Sequence, residues 1–543
     1  MHHLTGARRV AGVALLLSLC ACSGSSDDNE TSRQIELSTH SLTFSAAAPT
    51  AATPAAQTIT ASFSAGIANL SVVHTGQGIA KVTTAVNGTT AQIVVTPSDP
   101  ATIGAGRFTG TLAVTGYFCA DTACSRLEAG GSQTVTAKYQ ISPVVDYVAP
   151  NVATAGVSGT AVIRGSGFNG YAIQSVKFGD VAATSLTVVN GSEIRAAYPA
   201  LPAGSYAVSL GIPTHEGTPP STATLIAVDA VTRTAQTLPW PAAVTAVTSL
   251  RHDAQRDALL VSTDIADGTV VRYAHAGGAW EPATTTAIAG VRDIALSTDG
   301  AQLLALSRTG LTPLDPVTLA PATTIAAPSL PEKSFLKTLA VANNNLAIVT
   351  TGIAESKATE LYTYIVRTGV MTKLPTALNN ASMGSSTNGA LIGIIQGDST
   401  LTTAPAAYTY AAASGTFSPL GVALNQNSVA PVLDRDATRL VLNGVNVYGA
   451  DFALLGKLPE TTLAVSLRPD GKRAYTYDSA AAGILTFDIS ATKNGAAFTA
   501  LGAATPLAAA PGASAKMTIS ADGKTLFIAG TTQIVVLPAP LDP

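Results

Sequence analysis

The sequence predicts an all-β protein in which two β-sandwiches in series precede a β-propeller of seven blades. Three observations carry this. First, only 12% of the 543 residues are charged, and 47 Gly and 30 Pro break the chain so often that no long amphipathic helical pattern survives. Second, the first 230 residues contain short runs that alternate apolar and polar residues between Gly, Pro and Asn turns. Third, a strand–turn–strand motif recurs through the remainder. The length itself implies several domains, since one core rarely grows past about 250–300 residues. A formal charge of −3 shows no basic excess, so nucleic acid is not an expected partner. Past the N-terminus nothing approaches the roughly 18 consecutive apolar residues of a membrane span.

The N-terminus has the form of an export signal. Arg8 and Arg9 make a positive start, and the run Val10 to Leu19 (VAGVALLLSL) is a short apolar core. It closes on Leu19-Cys20-Ala21-Cys22, which resembles the bacterial lipobox: Leu three residues before the acceptor, a small residue, then Cys. The resemblance implies a signal peptide over 1–21 and a lipid attached to Cys22; the plainer alternative is an ordinary signal peptide cleaved nearby. Ser23 stands where an inner-membrane retention signal would carry Asp, so the resemblance implies the outer membrane, on its periplasmic side or at the cell surface. Each buried CH₂ of an acyl chain contributes about 0.8 kcal/mol, so multiple acylation would hold the chain firmly. Residues 22–34 are polar and read as a flexible tether.

Setting aside Cys20 and Cys22, the chain has two cysteines, Cys119 and Cys124. An even pair in an exported protein is expected to form a disulfide. The spacing would also serve half of a metal site, but there is no second Cys pair and no nearby His cluster, so no metal is expected.

Residues 35–142 hold strand-like runs at Ile35–Phe44, Gln57–Phe63, Ala91–Pro97, Gly110–Gly116 and Thr134–Ile141. Their alternation is that of a β-sandwich. The segment GRFTGTLAVTGYFC, followed by the second Cys and TVTAKYQI, resembles bacterial surface Ig-like modules of the BACON-like kind. That resemblance implies a glycan-associated stalk and names no site.

The next module, 143–229, contains Gly165, Gly167 and Gly170 in a G-x-G-x-x-G pattern. In a dinucleotide-binding unit such glycines end a strand, open a helix and precede an acidic residue about 20 positions on. Here Thr160–Gly165 is a strand, but the residues that follow read as another strand, and Leu186–Gly191 supplies no acid. No nucleotide is expected; the glycines should instead permit a tight bend that turns Phe168 into the core. Pro150 and the runs Thr160–Phe168, Val176–Ala183, Ser192–Pro199 and Ala203–Leu210 resemble an IPT/TIG domain. That resemblance implies a second Ig-like sandwich, used in exported proteins as a spacer or interaction module. The expected fold is thus all-β: two Ig-like β-sandwiches in series followed by a β-propeller.

The propeller is expected over 230–543. Leu296–Leu306 (LSTDGAQLLAL), Leu467–Tyr477 (LRPDGKRAYTY) and Ile519–Ala529 (ISADGKTLFIA) are one motif, and weaker copies lie at Leu250–Ser262, Val341–Thr350, Ser385–Ile395 and Leu433–Asn443. The turn residues Asp253, Asp299, Asn344, Asn388, Asp436, Asp470 and Asp522 average about 45 residues apart, one four-stranded blade each. Loose spacing between the fifth and sixth turns leaves six or eight blades open. The motif resembles the YVTN and lactonase-like propeller repeat. Asp and Asn suit these turns because they bond their own backbone and tolerate positive φ, with Gly beside them. A strand within Thr232–Pro241 is expected to complete the last blade.

The chain contains no G-x-S-x-G elbow, H-E-x-x-H, P-loop or C-x-x-C-H, and no cofactor is expected. His252 reads as a solvated turn residue. Asp264, Asp267, Glu355, Asp398 and Asp478 follow inner strands and could reach a channel mouth, though each reads first as a loop solubiliser. Trp240 and Trp280 suit sugar stacking or core packing equally. The expected function is therefore a lipid-anchored binding or scaffold protein of the cell envelope, presenting the propeller to a surface protein or polysaccharide. The alternative is a lactonase-like hydrolase or lyase working in the channel.

Overall fold

The computed structural model describes residues 34–231, 233–353, 360–378, 380–397, 407–420, 429–460, 462–478, 483–512 and 515–540. The expected signal, Cys22, the tether up to residue 33, Glu355 and Asp398 lie outside them. The architecture is two Ig-like sandwiches followed by a seven-bladed propeller.

In the first sandwich one sheet contains Ile35–Leu37, Gln57–Phe63, Thr90–Pro97 and Ile79–Asn87; the other contains Ser41–Ala46, Leu127–Ile141, Gly106–Cys119 and Asn69–Thr75. The run expected as one strand over 35–44 is two, one in each sheet. Thr39 causes the break: its hydroxyl accepts from the Ser41 amide and donates to the Ser41 carbonyl, so the chain turns between sheets. Phe44, Ile59, Ile93, Leu112 and Tyr139 fill the space between. Cys119 and Cys124 are joined in a disulfide at the end of a long strand, as the cysteine count predicts.

The second sandwich pairs Ser185–Asn190, Glu193–Tyr198, Gly159–Ser166 and Val144–Ala149 against a sheet built on Thr224–Val228 and Gly204–Gly211. The three glycines of its G-x-G-x-x-G pattern each have a packing role. Gly167 adopts φ 78° and Phe168, next to it, is completely buried. A Cβ on Gly165 would meet the Val144 carbonyl oxygen at 1.9 Å, and one on Gly170 the Ala105 carbonyl oxygen at 1.9 Å. Gly167 and Gly170 therefore let the two sandwiches touch, and the chain continues into a strand, Ser175–Phe178, rather than a helix. Tyr171 donates to the Ile141 carbonyl (2.9 Å) and Arg107 pairs with Glu216 (2.9 Å) across the same junction.

Seven antiparallel sheets make the propeller. Their inner strands are Val247–Asp253, Asp293–Leu296, Ser334–Ala342, Ser382–Ser385, Val432–Leu433, Thr462–Leu467 and Lys516–Ile519. Each touches the next, and the seventh touches the first. Side chains of a strand alternate between its two faces, so each blade packs one set against the blade before and the other against the blade after. Seven apolar clusters follow, each shared by two neighbours; Leu260 and Val270 of blade 1, for example, meet Ile294 and Leu303 of blade 2. The last blade is completed from the domain's start. Gln236–Leu238 pairs antiparallel with Ile534–Pro538, within the segment expected to close the ring.

Candidate functional site

The inner strands run in one direction around a central channel, each ending in an Asp- or Asn-based turn. Those turns form as the sequence predicts. The side-chain oxygens of Asp299, Asn388, Asp470 and Asp522 each accept from the amide two residues on, at 3.0 Å. Gly300, Gly389, Gly471 and Gly523 follow at φ 63–72°.

The second sandwich docks on this turn end. Tyr147 donates its hydroxyl hydrogen to the Asn343 carbonyl (2.6 Å), and Arg164 donates through Nε (3.0 Å) and Nη2 (2.5 Å) to the Asn343 side-chain oxygen. Asn343 in turn donates to the Asn388 carbonyl at 2.8 Å, so one fully buried residue ties the sandwich to blades 3 and 4. Glu193 neutralises Arg164 at 2.8 Å, both buried, and Arg367 of blade 3 pairs with Asp146 at 2.6 Å. Asn151 donates to the Asp299 carbonyl at 2.9 Å. As a result Pro150, Asn151, Val152 and Thr154 lie over the channel, which encloses about 730 Å³.

The other end of the channel, where the inner strands begin, is basic. Arg251, Arg292 and Lys516 line the cavity there, with Lys337 and Arg308 beside Arg292. Asp293 is the carboxylate they share it with: Arg251 approaches its Oδ1 at 3.3 Å, and the amides of Ile294 and Leu339 donate to it at 2.9 Å each. The guanidinium groups of Arg292 and Arg308 lie 4.9 and 5.7 Å from the ring centre of Phe335, a cation–π arrangement. Lys337 donates to the Asn380 carbonyl at 2.6 Å; desolvation, reinforced by Arg292, pulls its pKa down to about 8. Lys516 is exposed to solvent at the mouth, yet the protein around it lowers its pKa by desolvation, with Asp293 opposing and Arg251 adding to the fall.

The carboxylates singled out in the sequence do not build this site. Asp264 accepts from the Thr245 and Ala246 amides at 3.0 and 2.9 Å and from the Thr245 hydroxyl, pinning the start of blade 1. Asp267 is exposed in a single 3-10 turn, and Asp478 is buried. His252 departs from the expectation of a solvated turn residue. Its side chain is enclosed, stacked 5.1 Å from Phe527, with Nε2 3.2 Å from Asp257, because the blade 7 core extends over it. His275 reaches the other Asp257 oxygen at 2.8 Å, and Arg233 pairs with the same carboxylate. Trp280 packs within this group, and Trp240 donates to the Gly530 carbonyl at 2.9 Å, so both serve packing. Among the described residues no three His, Cys, Asp or Glu gather as metal ligands, and no helix is long and apolar enough to cross a membrane.

A sandwich of this topology, following one Ig-like module and capping a propeller, can be set beside known families. Residues 143–225 match the IPT/TIG domain family. No curated protein matches the chain. Among solved structures it is similar to hydrazine synthase of Kuenenia stuttgartiensis, at 12% identity and TM-score 0.41, covering 56% of this chain and 98% of that one. A protein of unknown function from Bacteroides thetaiotaomicron VPI-5482 is similar at 12% identity and TM-score 0.34, covering 73% and 97%. Hsv2 of Kluyvelomyces marxianus is similar at 10% and 0.38, covering 53% and 89%. None of these likenesses bears on activity. The TIG domain is what closes the turn end of the channel.

Proposed function

We propose that the chain is a lipid-anchored scaffold of the outer membrane, attached through Cys22 on the periplasmic side or at the cell surface. It presents its propeller to an envelope protein or polysaccharide. The observation that carries this reading is the docking of the TIG domain over one end of the channel, which leaves the opposite face as the one a partner can meet. Two β-modules joined by the Arg107–Glu216 pair and the Gly170–Ala105 contact suit a stalk. Among the described residues, the carboxylates that line the channel are engaged: Asp253 pairs with Arg256 at 2.9 Å and Asp293 with Arg251, an arrangement suited to holding a fold and not to moving a proton.

Crosslinking in cells, with mass spectrometry of captured partners, tests this. The full protein is compared with a version ending after Asp229, and Cys22→Ser is carried alongside. The expected outcome is loss of the captured partners on truncation and release of the Cys22→Ser protein from the membrane fraction. Partners retained by the truncated protein would move the function to the sandwiches and sink the reading.

A further inference from the structure

The channel mouth away from the TIG domain holds more positive charge than its partners neutralise. Arg251, Arg292 and Lys516 line it, Lys337 and Arg308 flank it, and Asp293, the one described carboxylate among them, already accepts from Arg251 and two backbone amides, so a single negative charge faces five positive ones. No described carboxylate forms an ion pair with Arg292, Arg308, Lys337 or Lys516. The chain as a whole carries −3, so this concentration is local. Like charges gathered at one mouth repel, less strongly where water reaches them, as it does at Arg251, Arg308 and Lys516; the repulsion runs within the set, Arg308 acting on Arg292, Arg292 on Lys337 and Arg251 on Lys516. A bound anion would offset that cost.

We propose that this mouth binds an oxyanion, a carboxylate, sulfate or phosphate group carried by a soluble ligand, between Arg251, Arg292 and Lys516. Guanidinium forks match such groups bidentately, and an ammonium adds a point charge. Phe335 holds the guanidinium groups of Arg292 and Arg308 within 4.9 and 5.7 Å of its ring centre, which gathers the two cations on one side of the mouth. The 730 Å³ cavity lies within the usual size of a small-ligand site, roughly 300–1,000 Å³. The inference rests on the binding reading above and names the chemistry of what the open face takes.

Calorimetric titration of the full chain with inorganic phosphate, polygalacturonate and neutral dextran tests it. Phosphate alone binding would identify a small free anion as the source; polygalacturonate binding more tightly would identify an acidic glycan. Either supports the site, provided added sodium chloride weakens it. In R292Q/K516Q the affinity should fall about tenfold or more, while R292K/K516R keeps most of it. The R292Q/K516Q protein should melt no lower than the parent, since repulsion is relieved; R308Q, at an exposed position, gives a second, smaller loss of about threefold. Dextran binding as well as the anions, or unchanged affinity in both glutamine variants, would overturn the proposal. If no anion binds while propeller-dependent crosslinks persist, the oxyanion site falls and the scaffold reading stands. If truncation loses no partner while anions bind as expected, the reverse holds.

Discussion

At the residue scale, Ala437 stands where five of the other six blades place glycine or asparagine. Its φ is 59°, matching Gly300, Asn345, Gly389, Gly471 and Gly523 at 63–72°. A Cβ in this region costs about 1–2 kcal/mol, of which glycine's extra chain entropy returns roughly 0.5–1. Ala437→Gly should therefore stabilise the propeller by about 0.5–1 kcal/mol, seen as a higher urea midpoint with unchanged slope. The reverse change at the next blade, Gly471→Ala, should destabilise by about 2 kcal/mol or more. There the new Cβ would lie 2.5 Å from the Thr438 hydroxyl oxygen and 2.8 Å from an Asp434 oxygen. Equal midpoints for the two variants would mean that the turn conformation does not limit stability. These turns were legible because a turn's chemistry is local: Ser-x-Asp-Gly carries its acceptor, its donors and its positive φ within four residues. The basic mouth was not. Arg251, Arg292, Lys337 and Lys516 come from blades 1, 2, 3 and 7, and only closure of the ring makes them neighbours.

At the scale of elements, the ring depends on how its first strand meets its last blade. Three backbone-paired residues, Gln236–Leu238, form a short clasp, and the segment leading into it adds Arg233. That guanidinium is buried, donates to Thr525 of blade 7 at 3.1 Å, and pairs with Asp257 of blade 1, which also meets His252 and His275. Burial pushes the Asp257 carboxyl up, but the hydrogen bond from His252, the charge of Arg233 and the hydrogen bond from His275 outweigh it and hold the pKa at about 2. A carboxyl depressed in the folded state contributes stability that is complete above its unfolded pKa, near 4, and lost as pH falls through about 2. Asp257→Asn should cost roughly 3 kcal/mol at neutral pH, the lower end for breaking a buried pair because Asp257 keeps 26% of its side chain exposed. The cost should shrink between pH 4 and 2, read by denaturant titration at each pH; a cost independent of pH would assign the loss to packing. The closing strand itself was legible from the leftover segment before the first repeat. Asn69–Thr75 and Ile79–Asn87 were not, because they lie largely exposed and show no two-residue alternation for a reader to find.

For the whole molecule, the coupling between the TIG sandwich and the propeller runs through few groups, so it can be loosened without unfolding either part. Tyr147 is buried, and its hydroxyl satisfies a carbonyl, Asn343, that no water reaches; burial raises the phenol's pKa well above its usual value and keeps it a donor. Tyr147→Phe leaves that carbonyl unsatisfied at a cost of about 1–2 kcal/mol, and Arg367→Ala removes the half-exposed pair with Asp146 for up to about 1 kcal/mol. Neither residue belongs to a blade core or to the sandwich core. The double variant should keep both parts folded while the sandwich lifts more often from the turn end. Hydrogen exchange at Asn151–Thr154, the segment over the channel, should then quicken by about tenfold to a hundredfold, the factor that about 1.4–3 kcal/mol implies. Exchange at Leu303–Leu306 inside blade 2 should not change. If both segments quicken together, the TIG domain is a structural part of the propeller and not a cap on it. If only Asn151–Thr154 does, closure of the turn end is an equilibrium of its own, and a ligand held among the cations of the other mouth meets a channel whose far end can open.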